Sequence, residues 1–256
     1  MGGNHEKTEG IQGYDMNIVI PMAGRGNRFK EKGIFTPKPL IDVAGKPMFY
    51  WALDSINGQV PLEKIIFVCL KDDIEKYPLE EAIYTYSRKA KLMVIDSVTS
   101  GQAETVQLAS PMMEINEPLI IFNCDTYLRS SIGTTISKVT SDINGIISIF
   151  KSYDPCLSYV KLNQGKFVDQ VVEKEVISSY ATTGLYHFSS ARLFMNAIEE
   201  ATVLNEKSKG EYFVGPLYNI LIRKGYRFTV DYAKQCIPLG TPQQLDTFLK
   251  TIDILK

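Results

Sequence analysis

The sequence predicts an α/β fold with a mainly parallel central sheet, helices on both of its faces, and an added β-meander. Three observations predict it. Through the first half, short apolar runs alternate with helical stretches in units of about 30 residues, the rhythm of βαβ units. A glycine-rich, basic loop follows directly on the first apolar run. In the second half the rhythm changes to strand-like segments separated by turns such as "NQGK".

"NIVI" (17–20) is uniformly apolar, as a strand buried on both faces should be. "GKPMFYWALDSING" (45–58) predicts a helix, with Pro47 in the first turn and Gly58 at the stop. "KIIFVCL" (64–70) is a second strand. "DDIEKYPLEEAIYTYSRKA" (72–90) is helical with an interruption at Pro78. "LMVI" (92–95) is a third strand, and "GQAETVQLASPMMEIN" (101–116) begins a helix that Pro111 kinks or ends. "PLIIFNCDTYL" (118–128) reads as a fourth strand carrying an acid. "GIISIFKS", "LSYVKLN", "KFVDQVVEK" and "TTGLYHF" supply the meander. "SARLFMNAIEEATVLN" and "YFVGPLYNILIRKG" are helices, and "YRFTVDYA" is a late strand. The closing helix "TPQQLDTFLKTIDILK" is capped by Thr241 with Pro242 at its first position.

The 256 residues can bury a substantial core, and 45% hydrophobic with 22% charged residues is ordinary for a soluble globular protein. A net charge of -1 argues against a general nucleic-acid binder but leaves room for a local anion site. No apolar run approaches the ~20 residues of a membrane span. Cys69, Cys124, Cys156 and Cys236 are far apart and form no CxxC pair, so reduced, buried thiols in a cytoplasmic protein are expected. "MGGNHEKTEGIQGYD" is polar and glycine-rich and lacks the apolar region of a secretory signal. It is expected to be a disordered tail over 1–15, followed by a single domain over 16–256.

The loop "PMAGRGNRFKEKGIFTPKPL" (21–40) concentrates positive charge. Six basic residues fall between Arg25 and Lys46, against only Glu31 and Asp42. A loop of backbone N–H groups after a strand suits phosphate. A Walker A pattern fails, because Pro47 stands where Ser or Thr is needed and no glycine precedes at the right spacing. A dinucleotide fingerprint fails at Phe29, in place of the third glycine. Gly24-x-Gly26-x-Arg28 followed by Pro37-Lys38-Pro39-Leu40 is the pattern that fits. The competing reading is a solvated surface loop, but prolines on both sides of Lys38 stiffen the backbone.

With these residues the sequence resembles the sugar-phosphate nucleotidylyltransferase (pyrophosphorylase) superfamily. The match continues through "LIDVAGKPMFYWAL" (40–53) and extends, less specifically, over roughly 16–250. "NIVIPMAGRGNRF" is similar to capsule- and surface-glycan-associated members, some of which use CTP. The resemblance implies a three-layer Rossmann-like, GT-A-like nucleotide-diphospho-sugar transferase fold. It implies transfer of NMP from an NTP to a phosphorylated acceptor, such as a sugar 1-phosphate, with release of pyrophosphate. Met22, Ala23, Gly24, Gly26, Gly101 and Gln102 would bind the nucleotide. Arg28 would hold the β- and γ-phosphates, and Lys38 the α-phosphate. Asp125 lies at the carboxyl end of a strand, where open α/β sheets bind ligands, and would hold Mg²⁺. In "VVEKEV", Glu173 would meet acceptor hydroxyls and Lys174 the acceptor phosphate, although Glu175 replaces the family's proline. In "TTGLYHF", Gly184 would place backbone near the acceptor, whereas His187 reads as structural.

The main departure is "CIPLGTPQQL", where Pro238 replaces the aspartate that the family uses as a second metal ligand. Asp231 or Glu211 could substitute only if the fold brings one of them close. Three alternatives stay open: a GT-A glycosyltransferase using an NDP-sugar, a cytidylyltransferase for a non-sugar acceptor, and a non-catalytic nucleotide-binding homologue. The base, the acceptor and the oligomeric state are not legible in the residues; CTP rests on the resemblance alone.

Overall fold

The computed structural model describes residues 15–255. The tail expected over 1–15 falls, except for Asp15, outside the described residues. The chain begins with β1 (Asn17–Pro21), a one-turn helix α1 (Asn27–Lys30) and a 3-10 turn at Lys38–Leu40. A two-residue hairpin, β2 (Asp42–Val43) and β3 (Lys46–Pro47), leads into α2 (Met48–Ile56). Next come β4 (Ile65–Leu70), α3 (Lys71–Lys76), α4 (Leu79–Tyr86), β5 (Lys91–Ile95) and α5 (Gln102–Leu108). The helix expected over 72–90 is therefore split around Pro78, which cannot donate within a helix. A 3-10 turn at Ser110–Met112 contains Pro111.

The strand expected over 118–128 is two strands. β6 (Leu119–Phe122) ends at Asn123, and β7 (Thr126–Arg129) belongs to a separate ribbon. The chain then runs through α6 (Ile132–Lys138), β8 (Gly145–Lys151), β9 (Ser158–Leu162), β10 (Val168–Glu173) and β11 (Tyr180–Phe188). It closes with α7 (Ala191–Val203), α8 (Val214–Arg223), β12 (Phe228–Tyr232), β13 (Gln235–Pro238) and α9 (Pro242–Leu255). Thr241 caps α9 as the sequence predicts: its Oγ1 accepts from the Gln244 N–H at 3.2 Å.

β6, β1, β4 and β5 are parallel neighbours, which is the βαβ half of the molecule. β11 runs antiparallel beside β6 and joins the second half to the same sheet. The meander is thus continuous with the parallel strands in one nine-stranded sheet. β11 pairs with β8 along both of its ends, with a register break between Thr182 and Tyr186. Gly184 sits in that break at φ 84°, a left-handed conformation that favours glycine. β13 pairs antiparallel with β7 in the small ribbon, setting Pro238 opposite Thr126.

The strand pleat divides the core. Ile18 and Ile20 of β1 face one layer with Phe49, Leu53 and Ile56 of α2, Ile83 of α4 and Ile132 of α6. Val19 faces the other, with Ala103 and Val106 of α5, Phe194 of α7 and Leu217 of α8. A third cluster joins the loop after β1 to the end of the chain. Phe29, Val43, Met48 and Trp51 pack on Leu245, Phe248 and Ile252 of α9. Trp51 and Phe248 meet edge to face at 5.3 Å, and the Trp51 indole N–H donates to the Val43 carbonyl at 2.7 Å. Deleting a buried aromatic such as Phe248 ordinarily costs about 3–5 kcal/mol.

The cysteines depart from expectation. All four are free, and Cys69 and Cys124 are buried, but Cys156 is exposed. His187 is structural, as expected: it is 4% exposed, and neither ring nitrogen has a hydrogen-bond partner among the described residues. Burial pulls its pKa down to about 4, so the folded state holds the neutral ring.

The unfolded chain takes up that proton near pH 6.5, whereas the folded chain refuses it until about pH 4. The contribution is complete above pH 6.5 and is lost as pH falls through that window. It amounts to about 3 kcal/mol. Urea unfolding at pH 7 and at pH 4.5 should show that His187→Leu lacks this component of the acid destabilisation seen in the native chain.

Candidate functional site

A cavity of about 560 Å³ opens at the carboxyl ends of β1 and β6. That volume lies within the range of small-ligand sites. Its walls include Met22, Ala23, Gly24, Arg28, Lys38, Gly101, Gln102, Asp125, Glu173 and Gly184. The structure therefore gathers ten of the twelve sequence-predicted site residues around one space. The other two stand just behind or beside it. Gly26 supports Lys38, since a Cβ there would lie 3.7 Å from the Lys38 Cβ, and its φ of 63° turns the loop into α1. Lys174 lies at the rim, with its ammonium 4.9 Å from the centroid of the Phe213 ring, itself a wall residue.

The loop after β1 is pinned at both ends. The Met22 N–H donates to the Val68 carbonyl at 2.8 Å, and Phe29 of α1 is 1% exposed within the α9 cluster. Arg25 and Arg28 stand exposed between these anchors. Further along, Pro37 and Pro39 bracket Lys38 at the start of a 3-10 turn. The Lys38 ammonium donates to Asp125 Oδ2 at 2.8 Å, bridging residues 87 apart in sequence. Burial acts to lower the Lys38 pKa, but the Asp125 carboxylate more than offsets this, and the net shift is upward. Lys38 is thus a permanent cation near neutral pH. Burial pushes the adjacent Cys124 thiol up to about 12, so it stays protonated there.

Asp125 is held where β6 breaks away from the sheet. Its carbonyl accepts from the Leu239 N–H at 2.7 Å. Gly240 lies against its carboxylate: a Cβ there would meet Oδ2 at 2.6 Å. Gly184 is constrained similarly, since a Cβ would meet Asn123 Nδ2 at 2.2 Å. Asn123 Oδ1 in turn accepts from the Gln102 amide at 2.6 Å. Gly101, at φ 136°, has the Tyr212 backbone where a Cβ would be, at 2.5 Å. Backbone bonds between 100–103 and Tyr212 at 2.8 and 2.9 Å lock this corner.

The opposite end of the cavity has a different chemistry. Ser158 donates to the Glu173 carboxylate, and the hydroxyls of Thr182 and Tyr186 are 3.1 Å apart. Burial raises the Glu173 pKa, and Glu211 nearby adds to the effect. Ser158, Thr182 and Tyr186 were not singled out from the sequence. Their one signal is position: Thr182 and Tyr186 flank Gly184 at intervals of two, the spacing of one strand face.

Neither substitute for the absent aspartate reaches Asp125. Asp231 is 2% exposed and accepts from Ser130, Thr135 and Ser148 at 2.6, 3.2 and 2.9 Å, so it is consumed in the fold. Glu211 lines the cavity beside Glu173. Among the described residues no group of three or more His, Cys, Asp or Glu is placed to hold a metal. Asp125 alone still suits Mg²⁺, which takes one or two carboxylates and completes its shell with waters and phosphate oxygens. No helix is long and apolar enough to cross a membrane among the described residues.

A family model described as Nucleotidyl transferase matches residues 18–237. The bifunctional protein GlmU of Caldanaerobacter subterraneus subsp. tengcongensis is 26% identical over 249 residues, covering 91% of this chain and 51% of the relative. GlmU of Fervidobacterium nodosum is 26% identical over 218 residues, covering 81% of this chain and 44% of the relative. The chain thus spans about half the length of the curated relatives it matches. Among solved structures, the nucleoside-diphosphate-sugar pyrophosphorylase of Vibrio cholerae RC9 has a TM-score of 0.76 at 28% identity. That match covers 91% of this chain and 99% of the other. The inositol-1-phosphate CTP transferase of T. maritima has a TM-score of 0.71 at 16% identity, covering 93% and 94%, a likeness of fold. The fold is the Rossmann-like α/β fold that the sequence predicts.

Gly240→Ala should force Asp125 off Lys38 and cost about 1–3 kcal/mol in urea unfolding. Gly24→Ala is the control. No heavy atom lies within 4 Å of its added Cβ. Its cost should stay within about 0.5 kcal/mol.

Proposed function

The chain belongs to the nucleotidyl transferase family, and from that premise we propose that it moves NMP from an NTP to a phosphorylated acceptor, a sugar 1-phosphate, with release of pyrophosphate. One observation carries this reading. A single cavity has a cationic end built from Arg25, Arg28 and Lys38 and a hydroxyl-and-carboxylate end built from Glu173, Ser158, Thr182 and Tyr186. The first end matches a triphosphate, and the second matches a polyol. The relative from Vibrio cholerae, named a nucleoside-diphosphate-sugar pyrophosphorylase, supports the same substrate class.

In this reading an acceptor phosphate oxygen attacks the α-phosphorus in line. The P–O bond to the β-phosphate breaks, and pyrophosphate departs with that electron pair. The nucleophile is already anionic near neutral pH, so no general base is needed. Arg28 neutralises the β- and γ-phosphates, and Lys38 exchanges Asp125 for the α-phosphate as charge develops there. The backbone from Met22 to Gly26, with Gly101 and Gln102, orients the nucleotide. Glu173 holds acceptor hydroxyls, and the Gly184 backbone lies beside the acceptor. Lys174, from the rim, guides the acceptor phosphate. Asp125 would hold Mg²⁺, which supplies further neutralisation of the phosphates when bound. CTP as the donor and a role in surface-glycan precursor supply rest on the likeness to surface-glycan members, and a cytoplasmic setting on the separated, unpaired cysteines.

A glycosyltransferase needs no grip on a triphosphate, so the Arg28 and Lys38 loop counts against that reading. Thermal shift with each NTP and then with NDP-sugars, all with Mg²⁺, separates the two. A ligand at 100 times its dissociation constant adds about 2.7 kcal/mol. One NTP should stabilise the protein, and pyrophosphate should appear when a sugar 1-phosphate is added. Stabilisation by NDP-sugars alone, with no pyrophosphate released, would overturn the reading. Lys38→Ala should lower turnover by about 10²-fold or more while the chain stays folded. Undiminished turnover in that variant would remove Lys38 from the chemistry.

A further inference from the structure

Asp125 is the one carboxylate among the wall residues at the cationic end of the cavity, and Lys38 already occupies its Oδ2. Pro238, opposite Thr126 on β13, has no side-chain oxygen to add. The next side chain to reach this corner comes from α9. Gln244 lines the cavity, and its Oε1 lies 3.7 Å from the point where a Cβ on Gly240 would sit. Asp125 Oδ2 lies 2.6 Å from the same point. The bare Cα of Gly240 thus lets the carboxylate and the amide oxygen flank one space.

The ordinary role for Gln244 would be a capping box, since Thr-x-x-Gln places it to reach back to the Thr241 N–H. The structure contains only half of that motif. The Gln244 N–H donates to Thr241 Oγ1 at 3.2 Å, while the Gln244 side chain makes no hydrogen bond among the described residues. The cap holds the helix start, and the amide is left facing the cavity.

We propose that Gln244 Oε1 is the second protein oxygen of a divalent-cation site with Asp125. It stands in for the family's second carboxylate. The inference rests on the nucleotidyl transfer reading above. An amide oxygen is a suitable hard ligand for Mg²⁺ or Mn²⁺ but brings no charge. The ligand set then carries one negative charge, which Lys38 offsets. Such a site binds a cation weakly alone and well only when a triphosphate contributes its own oxygens.

The test uses Mn²⁺ as the probe, followed by the spin-resonance signal of the free ion. It is titrated into the full chain with an α,β-methylene analogue of the NTP that stabilises it. Gln244→Ala should weaken Mn²⁺ binding about tenfold. Gln244→Glu, which adds a carboxylate at the same place, should strengthen it by a similar factor. Melting temperatures near the native value establish that both variants are folded, and neither readout involves turnover. If both variants bind Mn²⁺ as the native chain does, Gln244 is not a ligand, and the transfer reading stands. If the native chain binds neither the analogue nor Mn²⁺ with it, both the inference and the reading fall.

Discussion

The bond between Lys38 and Asp125 is the constraint around which the site is organised. It ties the loop after β1 to the break after β6, two segments that meet only because β1 and β6 are parallel neighbours. The side chains are 24% and 16% exposed, so the pair is neither a free surface contact nor a fully dry one. Water-poor surroundings strengthen the attraction, and each partner offsets the cost of shielding the other. Everything nearby serves that geometry. Pro37 and Pro39 fix the lysine, Gly26 turns the loop beside it at a positive φ, and Gly240 makes room beside the carboxylate.

Rigidity at this corner comes from a distance. The α9 helix closes over Trp51, Val43 and Phe29, so the last element of the chain buttresses the first loop. Gly101 and Gly184 are held against Tyr212 and Asn123 with no space for a side chain. The Lys38 turn is thus framed by packed segments, Phe29 before it and Ile41 after it, while Arg25 and Arg28 stay exposed. The far end is softer in character: hydroxyls of Ser158, Thr182 and Tyr186 around Glu173, with Glu211 raising the local negative charge.

Much of this was legible in the residues alone. The first strand, the glycine-rich loop, Lys38 between prolines and the Thr241 cap all carry short-range signals, because proline, glycine and capping residues act on their own backbone. The break between β6 and β7 was not legible. "LIIFNCDTYL" is a good strand throughout, and it divides only because the Asn123 N–H turns to the Gly184 carbonyl and β7 pairs with β13. The fate of Asp231 was equally hidden: three hydroxyls from separate segments surround it. Cys156 shows the same limit, since its exposure depends on where the turn before β9 lies.

The sequence by itself determined the class of fold, the glycine-rich loop and the identity of its cations, because those follow from local backbone chemistry and from periodicity. It also determined that position 238 carries no carboxylate. The tertiary structure decided which distant groups share a space. It put Glu211 beside Glu173 rather than Asp125, sealed Asp231 in the fold, and turned the Gln244 amide toward Asp125 across Gly240. Those pairings depend on contacts between residues far apart in the chain, where no spacing rule operates and only packing selects the neighbour.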